Sequence, residues 1–177
     1  TKTKDHQGIA VNANEFKYFD LDSLISENIK KVIVLDSIQD PHNLGALLRS
    51  AEAFGIDTVV MSSREQVKVT PTVLKVSARA AIKVKIAVVK NLSKAIETLK
   101  ENNFIVFATT LTAKNSVACL RKEEKVAVIL GNEGLGVRKN LITAANETLT
   151  IPMLGKINSL NVSVAGAIVM NEMTRKD

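Results

Sequence analysis

From Lys31 onward, short apolar runs alternate with stretches whose apolar positions recur every three or four residues. The runs are KVIVLD (31–36), DTVVMS (57–62), VKIAVV (84–89), FIVFATT (104–110), KVAVILG (125–131) and ETLTIPM (147–153). All read as strands, and 104–110 and 125–131 are continuous enough to predict strands buried on both faces. Between them lie helical stretches. In the first, Asn43 is the N-cap, Leu44, Leu47, Leu48, Ala51 and Phe54 make one apolar stripe, and Gly55 ends it. Further helices are expected over 70–81, with Pro71 in the first turn, and over 91–102, 137–145 and 159–173. Ahead of Lys31 the chain is mixed and polar, and FKYFDLDSLI (16–25) leads into a short helix. This β/α alternation predicts an α/β fold: a mostly parallel sheet with helices on both faces.

Composition narrows the class. At 177 residues the chain suits one domain with a real core. No run approaches the roughly 20 apolar residues of a membrane span, and no signal-peptide pattern is present. The single cysteine, Cys119, excludes an internal disulfide framework and a Cys-rich zinc site, so a reducing, cytoplasmic location is expected. The net charge of +6 favours a polyanionic partner. With only 3% aromatic residues and no Trp, RNA would have to be held through phosphates and polar groups rather than by stacking.

Ligands of open α/β sheets bind beyond the carboxyl ends of strands, and three stretches place unusual residues there. DPHNLGALLRSAEAFG (40–55) follows VIVLD and puts Arg49 mid-helix, off the apolar stripe, beside the small residues Gly45, Ala46 and Ala53. A surface pair with Glu52 would explain Arg49 without any function. ILGNEGLGV (129–137) runs a buried strand into Gly131, Gly134 and Gly136, a spacing that fits neither a dinucleotide fingerprint nor a P-loop. Those glycines suit close backbone approach to a ligand or three ordinary turns. IPMLGKINSLNVS (151–163) ends in a polar corner where Asn158 or Ser159 could cap the following helix. Small residues in that helix, Gly166 among them, point to close approach of another backbone.

In order and spacing these stretches resemble the three motifs of the SpoU (TrmH-type) RNA ribose 2′-O-methyltransferases, a branch of the SPOUT family. Asn43 to Arg49 matches Asn-x-Gly-x-x-x-Arg. Gly131 to Gly136 matches Gly-Asn-Glu-Gly-x-Gly, and Ile151-Pro152-Met153 with Ser159 to Ser163 matches the third motif. HQGIA (6–10) and the segment after it resemble the linker of the bacterial 23S ribosomal RNA guanosine 2′-O-methyltransferase branch. Together with a first residue that is Thr1 rather than Met, this implies a lead-in over 1–30 from an upstream RNA-binding domain and a catalytic domain over 31–177.

The resemblance implies a SPOUT fold with a C-terminal deep trefoil knot, S-adenosylmethionine as methyl donor, ribosomal RNA as substrate, a homodimer paired through the first and last helices, and no metal or membrane. Gly131, Ile151 and Leu160 match positions that hold the donor's adenosyl part, and Thr109 is placed to line the same pocket. Arg49, Asn43, Glu133, Ser159 and Asn161 match the catalytic polar positions. Arg49 is expected to grip a phosphate and orient the 2′-hydroxyl, with Glu133 holding it by a charge-assisted pair. Transfer RNA as substrate, or an RNA-binding member without turnover, are the alternatives. Two positions depart from the family's pattern: Arg79 stands where relatives carry glycine, and Lys85 where they carry proline.

Overall fold

The computed structural model describes residues 16–56 and 58–175; the HQGIA stretch lies outside them. Seven strands form one sheet: β1 (Lys31–Leu35), β2 (Thr58–Ser62), β3 (Lys85–Val89), β4 (Ile105–Thr109), β5 (Asn115–Ser116), β6 (Val126–Leu130) and β7 (Glu147–Thr150). Their order is β3-β2-β1-β6-β4-β7-β5, and every pairing is parallel. The six expected strands are present. The two-residue β5 is an addition, too short to leave a periodic signal. β7 is shorter than expected, because Ile151 to Met153 leave the sheet.

The strand pleat divides the core in two. Ile33 and Leu35 of β1 point to one face, where they join Leu44, Leu47, Leu48 and Ala51 of α2 (Pro41–Ala53) and Val169, Met170 and Met173 of α6 (Val162–Thr174). Val32 and Val34 point to the other. There they meet Leu21 and Leu24 of α1 (Leu21–Ser26), Leu92, Ile96 and Leu99 of α4 (Leu92–Glu101) and Leu141 of α5 (Lys139–Ala144). The 16–25 segment is seated on this domain. Phe19 bridges to Ala87 of β3, and the Tyr18 hydroxyl accepts the Val69 amide at 3.0 Å.

Three helix ends differ from expectation. Asp40, not Asn43, caps α2: its carboxylate accepts the His42 amide, and Pro41 takes the first helical position, where its missing N–H costs nothing. Asn43 is thereby freed for other partners. The 70–81 stretch is helical only as α3 (Pro71–Val76), after which Ala78 (φ 50°) and Arg79 (φ 67°) turn left-handed into a short 3-10 segment, Ala80–Ile82. Glycine adopts that conformation without strain, and arginine does not. At the carboxyl-terminal helix, Asn161 rather than Asn158 or Ser159 is the cap, accepting the Ser163 amide at 2.9 Å.

α6 closes the first face. Gly166 admits Leu47 and Leu130, whose side-chain carbons would lie 2.3 and 3.0 Å from a Cβ there, so leucine side chains rather than another backbone explain this glycine. Arg121, in the 3-10 turn Val117–Lys122 between β5 and β6, donates to Glu172 of α6 at 2.6 Å and holds that carboxyl below the usual carboxylate range.

Candidate active site

Thr109, Leu130 and Thr150 are the last residues of β4, β6 and β7, and the loops above them enclose a cavity of about 460 Å³. It opens on one side of the point where strand order reverses, between β1 and β6, as expected for an open α/β sheet. Thr109 stays at its strand end because its hydroxyl donates to the Ile129 carbonyl of the neighbouring strand at 2.9 Å.

The glycine loop forms one wall by folding back on itself. A Cβ at Gly131 would meet the Gly136 carbonyl carbon at 2.1 Å and the Val137 nitrogen at 2.2 Å. The close approach expected at Gly131 is therefore that of the chain's own backbone, and only glycine permits it. Gly136 takes φ +68°. Asn132 organises the turn between them: its Oδ1 accepts the Gly134 amide at 2.8 Å, and its backbone carbonyl accepts the Gly136 amide at 2.8 Å.

Two clamps tie this loop to the end of β1. Asn132 Nδ2 donates to the Ser37 carbonyl at 3.0 Å. At the exit, Asp36, which is fully buried, accepts the Arg138 amide at 2.9 Å and the Arg138 guanidinium through Nε at 2.8 Å and Nη2 at 2.7 Å. Neither clamp was anticipated, although an acidic residue closing the apolar run VIVLD is a legible signal: a carboxylate there must find a cation or amides.

The cavity wall contains all four residues expected to hold a cofactor, Thr109, Gly131, Ile151 and Leu160, and with them Glu133 and Ser159. Asn43 and Asn161 are not on its wall but knit its rim. Asn43 Nδ2 donates to Glu133 Oε1, while Asn43 Oδ1 accepts Asn161 Nδ2 at 3.1 Å. One amide thus joins α2, the glycine loop and the α6 cap.

Other expectations fail. Glu133 engages Asn43, and no Arg49–Glu133 pair forms. Arg49 is exposed on α2, outside the cavity wall, with no hydrogen bond or ion pair to another described residue. Its pairing with Glu52 is absent too, since Glu52 takes Lys83 at 2.8 Å. Gly45 does not clear space beside Arg49; it is buried because α3 packs there, and a Cβ would meet Val76 Cβ at 2.7 Å. Lys85 opens β3 at the opposite end of the sheet from the cavity and pairs with Glu27 at 2.5 Å. Arg79 precedes that same end. His42 is an exposed first-turn residue. Cys119 is half-buried against the core, where burial first, then Glu147 and Glu123, pushes its thiol up. Among the described residues there is no cluster of three or more His, Cys, Asp or Glu, and no helix is long and apolar enough to cross a membrane.

A parallel sheet whose later strands leave chain order, with a cavity between a glycine loop and a Ser-Leu-Asn-Val-Ser corner, defines the SPOUT class of methyltransferase folds. The chain belongs to the SpoU rRNA methylase family, whose model matches residues 30–171. It is 37% identical over 176 residues to a Staphylococcus epidermidis protein described under the TrmH family of tRNA/rRNA methyltransferases, covering 97% of this chain and 71% of that one. Among solved structures it is similar to an RNA 2′-O ribose methyltransferase (TM-score 0.72, 27% identity, 92% of this chain and 59% of the other). An AdoMet-bound rRNA methyltransferase from Sinorhizobium meliloti shares the fold (TM-score 0.78, 24% identity, 89% and 60%). The chain therefore spans about three fifths of these two solved chains.

Proposed function

We propose that this protein methylates the ribose 2′-oxygen of RNA, using S-adenosylmethionine, and that its substrate is a guanosine in 23S ribosomal RNA. The observation that carries this reading is the shared wall of Thr109, Gly131, Ile151 and Leu160, rimmed by the Asn43–Glu133–Asn161 network. The residues fit such a donor. The wall is largely aliphatic with a few hydroxyl and amide groups, as an adenosyl slot requires. Glu133 is the one charged residue among its described lining, and a carboxylate suits a cationic sulfonium. When bound, the donor supplies an electrophilic methyl group.

The chain's own residues supply positioning. Asn43 uses both ends of its amide, so it fixes Glu133 and the α6 cap together. Arg49, exposed and with no side-chain partner among the described residues, is available to grip the phosphate beside the target ribose and orient its hydroxyl. Arg49 serves there as a clamp on the phosphate.

The trefoil knot belongs to the same reading. α6 follows β7 yet returns to β6 and α2, and the 3-10 turn of the β4–β6 connection packs on it through Arg121 and Glu172. So does a homodimer: Leu135, Leu154 and Ile157 by the cavity and Val164 on α6 are exposed apolar residues that a second copy would cover.

Incubation with S-adenosylmethionine carrying a labelled methyl, and with ribosomal or transfer RNA, tests the reading. Label is expected in ribosomal RNA at a 2′-O-methylguanosine. Label in transfer RNA alone would replace the substrate. Donor uptake without transfer to either would favour a binder that does not turn over.

A further inference from the structure

A second cavity, of about 350 Å³, opens at the carboxyl ends of β2 and β3, on the same edge of the sheet as the first. Arg64 follows β2 and Lys90 follows β3. Asn91 caps α4, while Arg138 and Asn140 begin α5. The lining contrasts with that of the first cavity: three cations among amides and hydroxyls, with Glu65 as the one acidic side chain on its wall. Val137 lines the first cavity and Arg138 the second, so the two share a wall at consecutive residues.

The charges are not spent on one another. Arg138 is held in place by buried Asp36, which neutralises it, and its Nη1 lies 3.7 Å from Glu65. Arg64 and Lys90 are exposed, and neither forms an ion pair with another described residue. They outweigh Glu65 and leave the cavity net positive. Two cations without an ion-pair partner among the described residues thus line one polar concavity, and an anion entering it would meet both. The Asn140–Ser93 hydrogen bond at 3.1 Å joins α5 to α4 beside it, so the site is closed on that side.

We infer that this cavity seats a phosphodiester of the RNA strand whose ribose is presented to the first cavity, with Arg64 and Lys90 as its principal contacts. The inference rests on the functional reading above. It also meets a need that composition creates: a chain with 3% aromatic residues must hold single-stranded RNA chiefly by its phosphates.

The double variant Arg64→Gln/Lys90→Gln tests this, against Lys122→Gln/Lys125→Gln as a control of equal charge just before β6, at the opposite end of its strand. Both are measured in the full chain by anisotropy with a short fluorescein-labelled single-stranded RNA, by calorimetry with S-adenosylmethionine, and with inorganic phosphate. The Arg64/Lys90 variant is expected to lose about tenfold in RNA affinity, and its slope of log K against log salt to flatten by about 1.4. The control is expected to change neither, and both variants to take up the donor as the parent does. Equal RNA affinity and salt slope in the two variants would overturn the inference, as would a parent chain that binds no RNA. Loss of inorganic phosphate binding with RNA affinity intact would also overturn it, in favour of a small free anion. A parent that binds RNA but transfers no methyl would sink the functional reading instead, leaving the variant comparison to decide this site.

Discussion

The β1–β3 half of the sheet and the β4–β7 half are made from the same parallel strands, yet they are assembled differently. In the first half, strands sit in chain order, and α2 and α3 fill one face between successive strands. Each connection is local, and its helices start at ordinary N-caps: Asp40, Thr70 and, on leaving β3, Asn91. In the second half, β6 inserts between β1 and β4, and β7 between β4 and β5. The connections run past intervening strands, and their loops carry glycines, side-chain-organised turns and the first cavity. Regular packing supports a frame; irregular backbone, held by specific hydrogen bonds, makes the pocket.

A pair of glycine replacements should break this comparison if it is wrong. Gly131→Val is expected to have the largest effect, because the atoms in the way are backbone at 2.1 and 2.2 Å and cannot yield. Calorimetry should find no donor uptake, and thermal melts a large loss of stability. Gly45→Ala, in the regular half, meets the Val76 side chain of a short helix that can shift. It should cost about 1–3 kcal/mol in chemical denaturation while leaving donor uptake unchanged. Equal loss of uptake in both would dissolve the distinction.

Arg49→Ala should lower turnover by about 100-fold and leave donor affinity close to that of the parent, measured by single-turnover kinetics beside calorimetry. Parallel loss of both would make Arg49 a structural residue. Asp36→Asn comes next. It keeps shape but removes the charge that holds the partly exposed Arg138, at a cost of about 2 kcal/mol. Because Arg138 closes the glycine loop, KM for the donor should rise more than kcat falls. Smallest is Arg79→Gly, which relieves a left-handed arginine and should stabilise by about 1 kcal/mol, visible as a raised denaturation midpoint with unchanged activity.

Most of the frame was legible because it is written in local terms. The strand runs, the apolar stripe of α2 and the stop at Gly55 depend on neighbours within a few residues. What was misread depends on distant partners. Asn43 has the chemistry of a cap and sits beside a better one, and its true partners lie 90 and 118 residues away. Gly166 signalled close packing, but Gly45 was read only as a small neighbour of Arg49, and what packs on the two glycines, Leu47 and Val76, is not visible in spacing. The expected site residues came from motif order and, for Thr109, from a strand end, and six of the nine line the cavity. Arg49 does not, and nothing in its local sequence shows where an exposed cation will act. Arg138 was passed over because it is unremarkable alone, and Asp36, a carboxylate closing an apolar run, names no partner by itself. Only the fold brings them together.

The amide of Asn43 has a temporal consequence. Its two partners lie far along the chain: one is in the turn after β6, the other is the residue that launches α6. A growing chain on the ribosome can pair β1 with β2, and β2 with β3, early, but the rim has no third member until Asn161 has cleared the exit tunnel. The rim of the cavity therefore closes only once the chain has been made as far as the start of α6.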